Sequence, residues 1–120
     1  MGDLGSKLLY KARTGTLEVN GRRRDGQDQS CNECEGVKET VEHVIVECER
    51  YEEERRQLVT DIINIIGEEE WTRRLEEEDG AITTALGLYE DSRKETDRLI
   101  KCTKKFLLQI WEKRQSECEE

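Results

Sequence analysis

Three cysteines and the single histidine of the chain fall within eighteen residues, C-N-E-C-E-G-V-K-E-T-V-E-H-V-I-V-E-C, running from Cys31 to Cys48. The spacing is Cys-x2-Cys-x8-His-x4-Cys, which offers three thiolates and one imidazole, a full tetrahedral set for Zn²⁺. Cys31, Cys34, His43 and Cys48 are therefore the expected metal ligands, and the metal expected is one structural zinc per chain. A catalytic zinc keeps one position open for water, whereas four protein donors close this site. Glu42 lies next to His43, but the H-x-E spacing and P-C-x-x-C pair of zinc deaminases are absent. With no second histidine and no carboxylate spacing that marks a metal–acid site, the sequence reads as non-enzymatic.

The elements that must hold these ligands follow from pattern. Cys31 to Gly36 reads as a tight turn whose amides face the thiolates, with Gly36 at positive φ. Thr40 is a suitable N-cap for a short helix carrying His43. Five residues along a continuous helix would set His43 and Cys48 about 140° apart. Both can face one ion only if the helix breaks between them, so a break is expected near Val46 to Glu49, with a new helix from about Glu49–Tyr51. Val41, Val44 and Ile45 would cover the metal.

Around that stretch the chain reads as helix. Ser6 to Arg13 carries Leu8, Leu9 and Ala12 at helical spacing, and Leu17-Glu18-Val19 alternates briefly before an Asn20-Gly21 turn. From Tyr51 to Ile66 the apolar residues Leu58, Ile62, Ile65 and Ile66 share a side with Arg55, and Gly67 is the expected stop. A short helix is expected over 81–90. The Ser92–Glu95 capping box opens the longest helix, over 92–116. At about 36 Å it exceeds what a domain with a radius of gyration of about 13–14 Å needs. Its end, with Phe106, Ile110 and Trp111, is therefore expected to project and to contact a partner protein or a second copy as a homodimer.

The 120 residues are 33% hydrophobic and 41% charged, with no proline, so long helices are allowed and the core is thin. A metal can supply stability that burial does not. The fold class expected is mainly α: a small Cys-Cys-His-Cys zinc-knuckle-like module followed by a helical bundle with a long C-terminal helix. Residues 1–30 form an N-terminal helix and basic loop, 31–50 the zinc module and 51–120 the helical region, in one zinc-stapled domain. Five cysteines, no signal-peptide core and no apolar run long enough to cross a membrane point to a reducing compartment, nucleus or cytoplasm. Cys102 and Cys118 lack partners at ligand spacing. Gly2 and Ser6 match the short myristoylation pattern.

The net charge of −9 is unevenly spread: residues 1–30 carry +2, 31–50 carry −4, 51–80 carry −7 and 81–120 balance. Phosphate binding is driven by cationic surface. Nucleic acid would therefore meet the N-terminal side, through Lys7, Lys11, Arg13, Arg22, Arg23 and Arg24, while the acidic middle favours a protein partner.

The run K-A-R-T-G-T-L-E-V-N, the basic loop, C-N-E-C, and then E-T-V-E-H-V-I-V-E-C-E-R-Y with E-E-E-R-R resembles the zinc-knuckle-like segment at the C-terminal end of reverse transcriptases from non-LTR (LINE-type) retrotransposons. The resemblance covers about residues 10–60 and departs from the family at Glu49, where proline is common. It implies the same four ligands and a role in handling template RNA or target DNA. No polymerase, RNase H or endonuclease motif accompanies it, so the chain would be an excised segment or a host protein descended from one. The leading expectation is thus a non-enzymatic zinc module that binds nucleic acid, RNA before DNA. A zinc-stapled adaptor or dimerisation module is the alternative, and a regulator that releases its metal on thiolate oxidation is a third reading.

Overall fold

Leu8, Leu9 and Ala12 recur at helical spacing in a segment with no acidic residue, and they form the buried stripe of helix α1, Leu4–Thr14. The computed structural model describes residues 4–19, 21, 29–31, 34, 36–88 and 93–118, the last stretch with side chains for 95–115. After α1, Leu17 and Val19 point inward and Glu18 outward, as strand-like alternation requires. A narrow hairpin follows. Its legs are joined by Cys31 N to Val37 O at 2.7 Å and Glu39 N to Gln29 O at 2.9 Å. The Gly21 amide adds to this hairpin by donating to Glu39 O at 2.7 Å, and a Cβ at Gly21 would collide with that carbonyl.

The expected helix break is present, and its form is specific. A π-helical turn spans His43–Glu47, Cys48 is extended (φ −66°, ψ 125°), and a 3₁₀ turn over Glu49–Tyr51 leads into α2, Glu52–Ile66. Glu52, Glu53 and Glu54 occupy the first turn of α2, where the helix dipole favours negative charge. Gly67 separates α2 from α3, Glu68–Leu75. Helix α4, Gly80–Ala85, is shorter than the 81–90 expected, because the chain reverses at Gly87 with φ 74°. Helix α5, Arg93–Cys118, is the last described element.

The architecture is mainly α, with an isolated bridge at Ser30–Lys38 and no strand among the described residues. Helix α5 lies against both α1 and α2, while α4 bridges α3, α5 and the π turn. Leu99, Phe106, Leu107 and Ile110 from α5 join Leu8, Leu9, Leu58, Ile62 and Tyr51 in one core. Two side chains satisfy carbonyls at the end of α4. Thr103 Oγ1 donates to Ala85 O and Arg13 Nε donates to Leu86 O, each at 2.6 Å, so the short helix is tied to α5 and α1.

The projecting end expected of the long helix is corrected by this packing. Phe106 and Ile110 are almost fully buried within the chain, and Trp111 is half-buried with the Arg114 guanidinium 4.8 Å from its ring centroid. Lys113 Nζ donates to Arg50 O at 2.7 Å, which ties down the far end of the helix. The molecule is elongated, 42 × 35 × 24 Å with a radius of gyration of 14.4 Å, so it accommodates a helix about 38 Å long along one dimension. Helix length compared with an average radius misjudged the shape. Among the described residues no helix is long and apolar enough to cross a membrane. Gly2, Arg22 to Arg24, Tyr89 and Ser92 lie outside the described residues, as does the side chain of Cys118.

Candidate metal centre

The hairpin brings the first two ligands to its tip. The amide of Cys34 donates to Cys31 Sγ at 3.4 Å, and Gly36, at φ 76°, turns the chain back toward Val37. An amide aimed at sulfur stabilises thiolate, so the tight turn is itself a part of the site. Thr40 caps the next turn as its position suggests, its Oγ1 accepting from His43 N at 3.1 Å.

The wide turn then resolves the angular problem of His43 and Cys48. An i→i+5 hydrogen bond, Cys48 N to His43 O at 2.7 Å, brings the two residues to one side, where a regular α-helix would part them. The carbonyls of Val44 and Ile45, left without helical partners where the turn ends, accept from Arg55 Nη2 at 3.1 Å and Nε at 2.9 Å. Arg55 lies on the inner side of α2, as its spacing predicts, and its task is to hold this turn.

One ligand atom from each of Cys31, Cys34, His43 and Cys48 lies within 4.8 Å of all the others. The Cys31 and Cys48 sulfurs are 3.6 Å apart, and those of Cys34 and Cys48 are 4.0 Å apart. A disulfide needs about 2.05 Å. A tetrahedral ion with sulfur ligands at about 2.3 Å sets its ligand atoms roughly 3.8 Å from one another, which is the spacing here. The cluster could therefore hold a metal ion, whose sphere these four donors would complete.

The surroundings supply an independent test of that fit. Cys31, His43 and Cys48 are buried and Cys34 is half-buried, with Val44 and Ile45 buried beside them and Val41 partly so. Both His43 ring nitrogens are buried and neither has a hydrogen-bond partner. An unsatisfied buried polar group costs about 1–3 kcal/mol, and a metal would satisfy one of these nitrogens. Burial pushes the Cys48 thiol up to about 12, against a backbone hydrogen bond from Arg50 that lowers it, while the neighbouring Cys31 and Cys34 raise it further. Three sulfurs this close favour the thiolate form only beside a positive charge. A bound cation supplies one, since metal coordination deprotonates a thiol outright.

The other site residues expected from the sequence are not gathered here. Lys7, Lys11 and Arg13 all lie on α1, which packs chiefly on α5. Lys7 is exposed, Lys11 lies 4.0 Å from Glu18, and Arg13 holds Leu86 O.

A second polar centre beside the metal segment escaped the sequence entirely. Glu39 is 1% exposed, and Arg114 engages both of its oxygens, Nη1 with Oε2 at 2.8 Å and Nη2 with Oε1 at 3.1 Å. Arg114 Nη1 also donates to Tyr51 Oη at 3.2 Å. Burial works against the guanidinium charge, but Glu39 and Tyr51 outweigh it and raise the Arg114 pKa above its ordinary value. For Tyr51, burial raises the hydroxyl although Arg114 pulls the other way. Residues 39 and 114 share no periodicity, and only a buried Glu adjoining a zinc segment could have prompted a search for a distant cation. Compared with known protein families, curated proteins and solved structures, the chain matches none of them.

Proposed function

We propose that this chain is a non-enzymatic structural zinc module that binds single-stranded RNA through the outer face of α1. The observation that carries it is the convergence of three sulfurs and one imidazole within 4.8 Å in a buried setting. Thiolate and imidazole donors suit zinc, whereas calcium and magnesium require oxygen. Four protein donors leave no position for a reactive water, so the metal makes fold rather than chemistry.

The RNA reading is supported by α1, which carries Lys7, Lys11 and Arg13 and no acid. Lys7, Tyr10 and Lys11 occupy one face, opposite the buried Leu8, Leu9 and Ala12, and Tyr10 is 68% exposed. An exposed ring between two cations is the combination that stacks a base and neutralises its phosphates. The Lys11–Glu18 pair at 4.0 Å is exposed and weak, so it competes little. The likeness of residues 10–60 to the zinc-knuckle-like segment of non-LTR reverse transcriptases supports the same reading and a retroelement ancestry.

Metal analysis of protein prepared without added chelator should return one zinc per chain. Filter binding of a single-stranded RNA across a salt series should give a slope that falls by about 0.7 for each lysine replaced by glutamine at positions 7 and 11. Tyr10→Ala should weaken binding by about 1–3 kcal/mol for one lost stack. Absence of zinc in folded protein would end the metal reading, and absence of RNA binding at low salt would end the other.

A further inference from the structure

The π turn, α2, α3 and α4 leave a groove between them that neither the metal nor α1 uses. It has a volume of about 240 Å³ and a wall made mostly of Val46, Val59, Trp71, Leu75 and Ala81, with other aliphatic side chains below. Arg55 is also in the wall, but its guanidinium is directed to the carbonyls of Val44 and Ile45. Leu75 stands 53% exposed at the edge. A cavity of about 150 Å³ is enough to hold a benzene ring, so this groove has room for one or two large apolar side chains of a partner.

Exposed acids adjoin its lining residues along the chain: Glu47 follows Val46, Glu76 follows Leu75, Glu77 to Asp79 lead from there toward Ala81, and Glu42 precedes the π turn. The basic residues of α3 are Arg73, held by Glu70 at 2.6 Å and Glu77 at 2.8 Å, and Arg74, held by Glu70 at 2.7 Å. An apolar slot with an acidic border repels phosphate and anionic lipid, and it complements a helix that is apolar on one face and basic on the other.

We infer that this groove docks a cationic amphipathic helix of a partner protein, anchored by apolar side chains set against Trp71 and Leu75 and steered by the acids at positions 42, 47 and 76–79. The surface lies on different elements from α1, and the inference stands whether or not RNA binds there. Among the described residues a second copy offers no such helix, because the apolar stripes of the basic helices α1 and α5 are already buried in its own core.

The probe is a synthetic amphipathic peptide of leucine and lysine, about 18 residues or five turns long. It is titrated into the metal-loaded protein carrying Trp111→Phe, so that Trp71 alone reports. A saturable change in Trp71 emission is expected. Leu75→Ser, chosen because an exposed side chain can be trimmed without unfolding the core, should weaken binding about tenfold, the equivalent of about 1.4 kcal/mol. The combined Glu76→Gln, Glu78→Gln and Asp79→Asn variant should weaken it at low salt and by less at high salt. A leucine–glutamate peptide of the same pattern and a leucine–lysine peptide of scrambled order should each bind at least about tenfold more weakly. No saturable change with the first peptide overturns the inference. Equal binding by either control peptide, or unchanged binding by both groove variants, overturns it as well. Self-association of the protein alone that Leu75→Ser abolishes would assign the groove to a second copy and overturn it too.

Discussion

Glu39 and His43 are four residues apart, both are almost wholly buried, and only Glu39 finds its partners within the chain. Around Glu39 the accounts close internally: two carboxylate oxygens, one guanidinium and one phenol form a neutral, hydrogen-bonded group. Around His43 they do not, since two ring nitrogens are unpaired and the three sulfurs beside them repel one another once ionised. The difference separates two ways of burying polarity. One centre is completed by folding alone, from residues 75 apart in the chain, and the other would be completed by an ion from outside. The π turn and its Arg55 brace belong to the second, because they shape a site that protein contacts do not fill.

The comparison can be broken most sharply at the metal. Cys48→Ser, or chelator at neutral pH, is expected to abolish metal binding and the cooperative thermal transition seen by circular dichroism. The free energy of a structural zinc site is on the order of 10 kcal/mol, as large as the whole stability of a domain. Cys102→Ser, at a half-buried thiol outside the cluster, should leave metal content unchanged. Next in size is the clasp. Arg114→Met or Glu39→Gln alone should cost about 3–5 kcal/mol in denaturant unfolding, because each leaves a buried group uncompensated. The double variant should recover part of that loss, and metal content should hold throughout; loss of zinc in either single variant would show that the two centres are one.

Smaller effects sharpen the boundary between the centres. Arg55→Met removes charged hydrogen bonds to Val44 and Ile45, worth about 1.5–3 kcal/mol, and should lower zinc affinity in a chelator competition as well as stability. Thr40→Ala removes the cap on His43 N and should cost about 1 kcal/mol, read as a shifted unfolding midpoint with the metal retained.

How far the sequence reached follows the same division. The cluster of Cys31, Cys34, His43 and Cys48 was legible because its residue types and spacing are local, and so was the necessity of a break between His43 and Cys48, which follows from helix angle alone. That the break takes the form of an i→i+5 turn was not legible, since it depends on Arg55 accepting the task of pairing Val44 O and Ile45 O. Periodicity located the stripes of α1, α2 and α5 but could not say which face each would meet. Phe106 and Ile110 were therefore assigned to a partner when the core of the chain itself takes them. The Glu39–Arg114 pair was out of reach for a plainer reason: nothing in local pattern connects residues 75 apart.

That span also has a consequence in time. The four candidate ligands lie within eighteen consecutive residues, so the loop between them closes at little entropic cost and would need nothing from α5 to take up metal. Glu39 must wait for Arg114, 75 residues further along the chain. Until then its carboxylate would keep its water. The metal would thus start the domain and the arginine would finish it, with the docking of α5 as the late step that shuts the core.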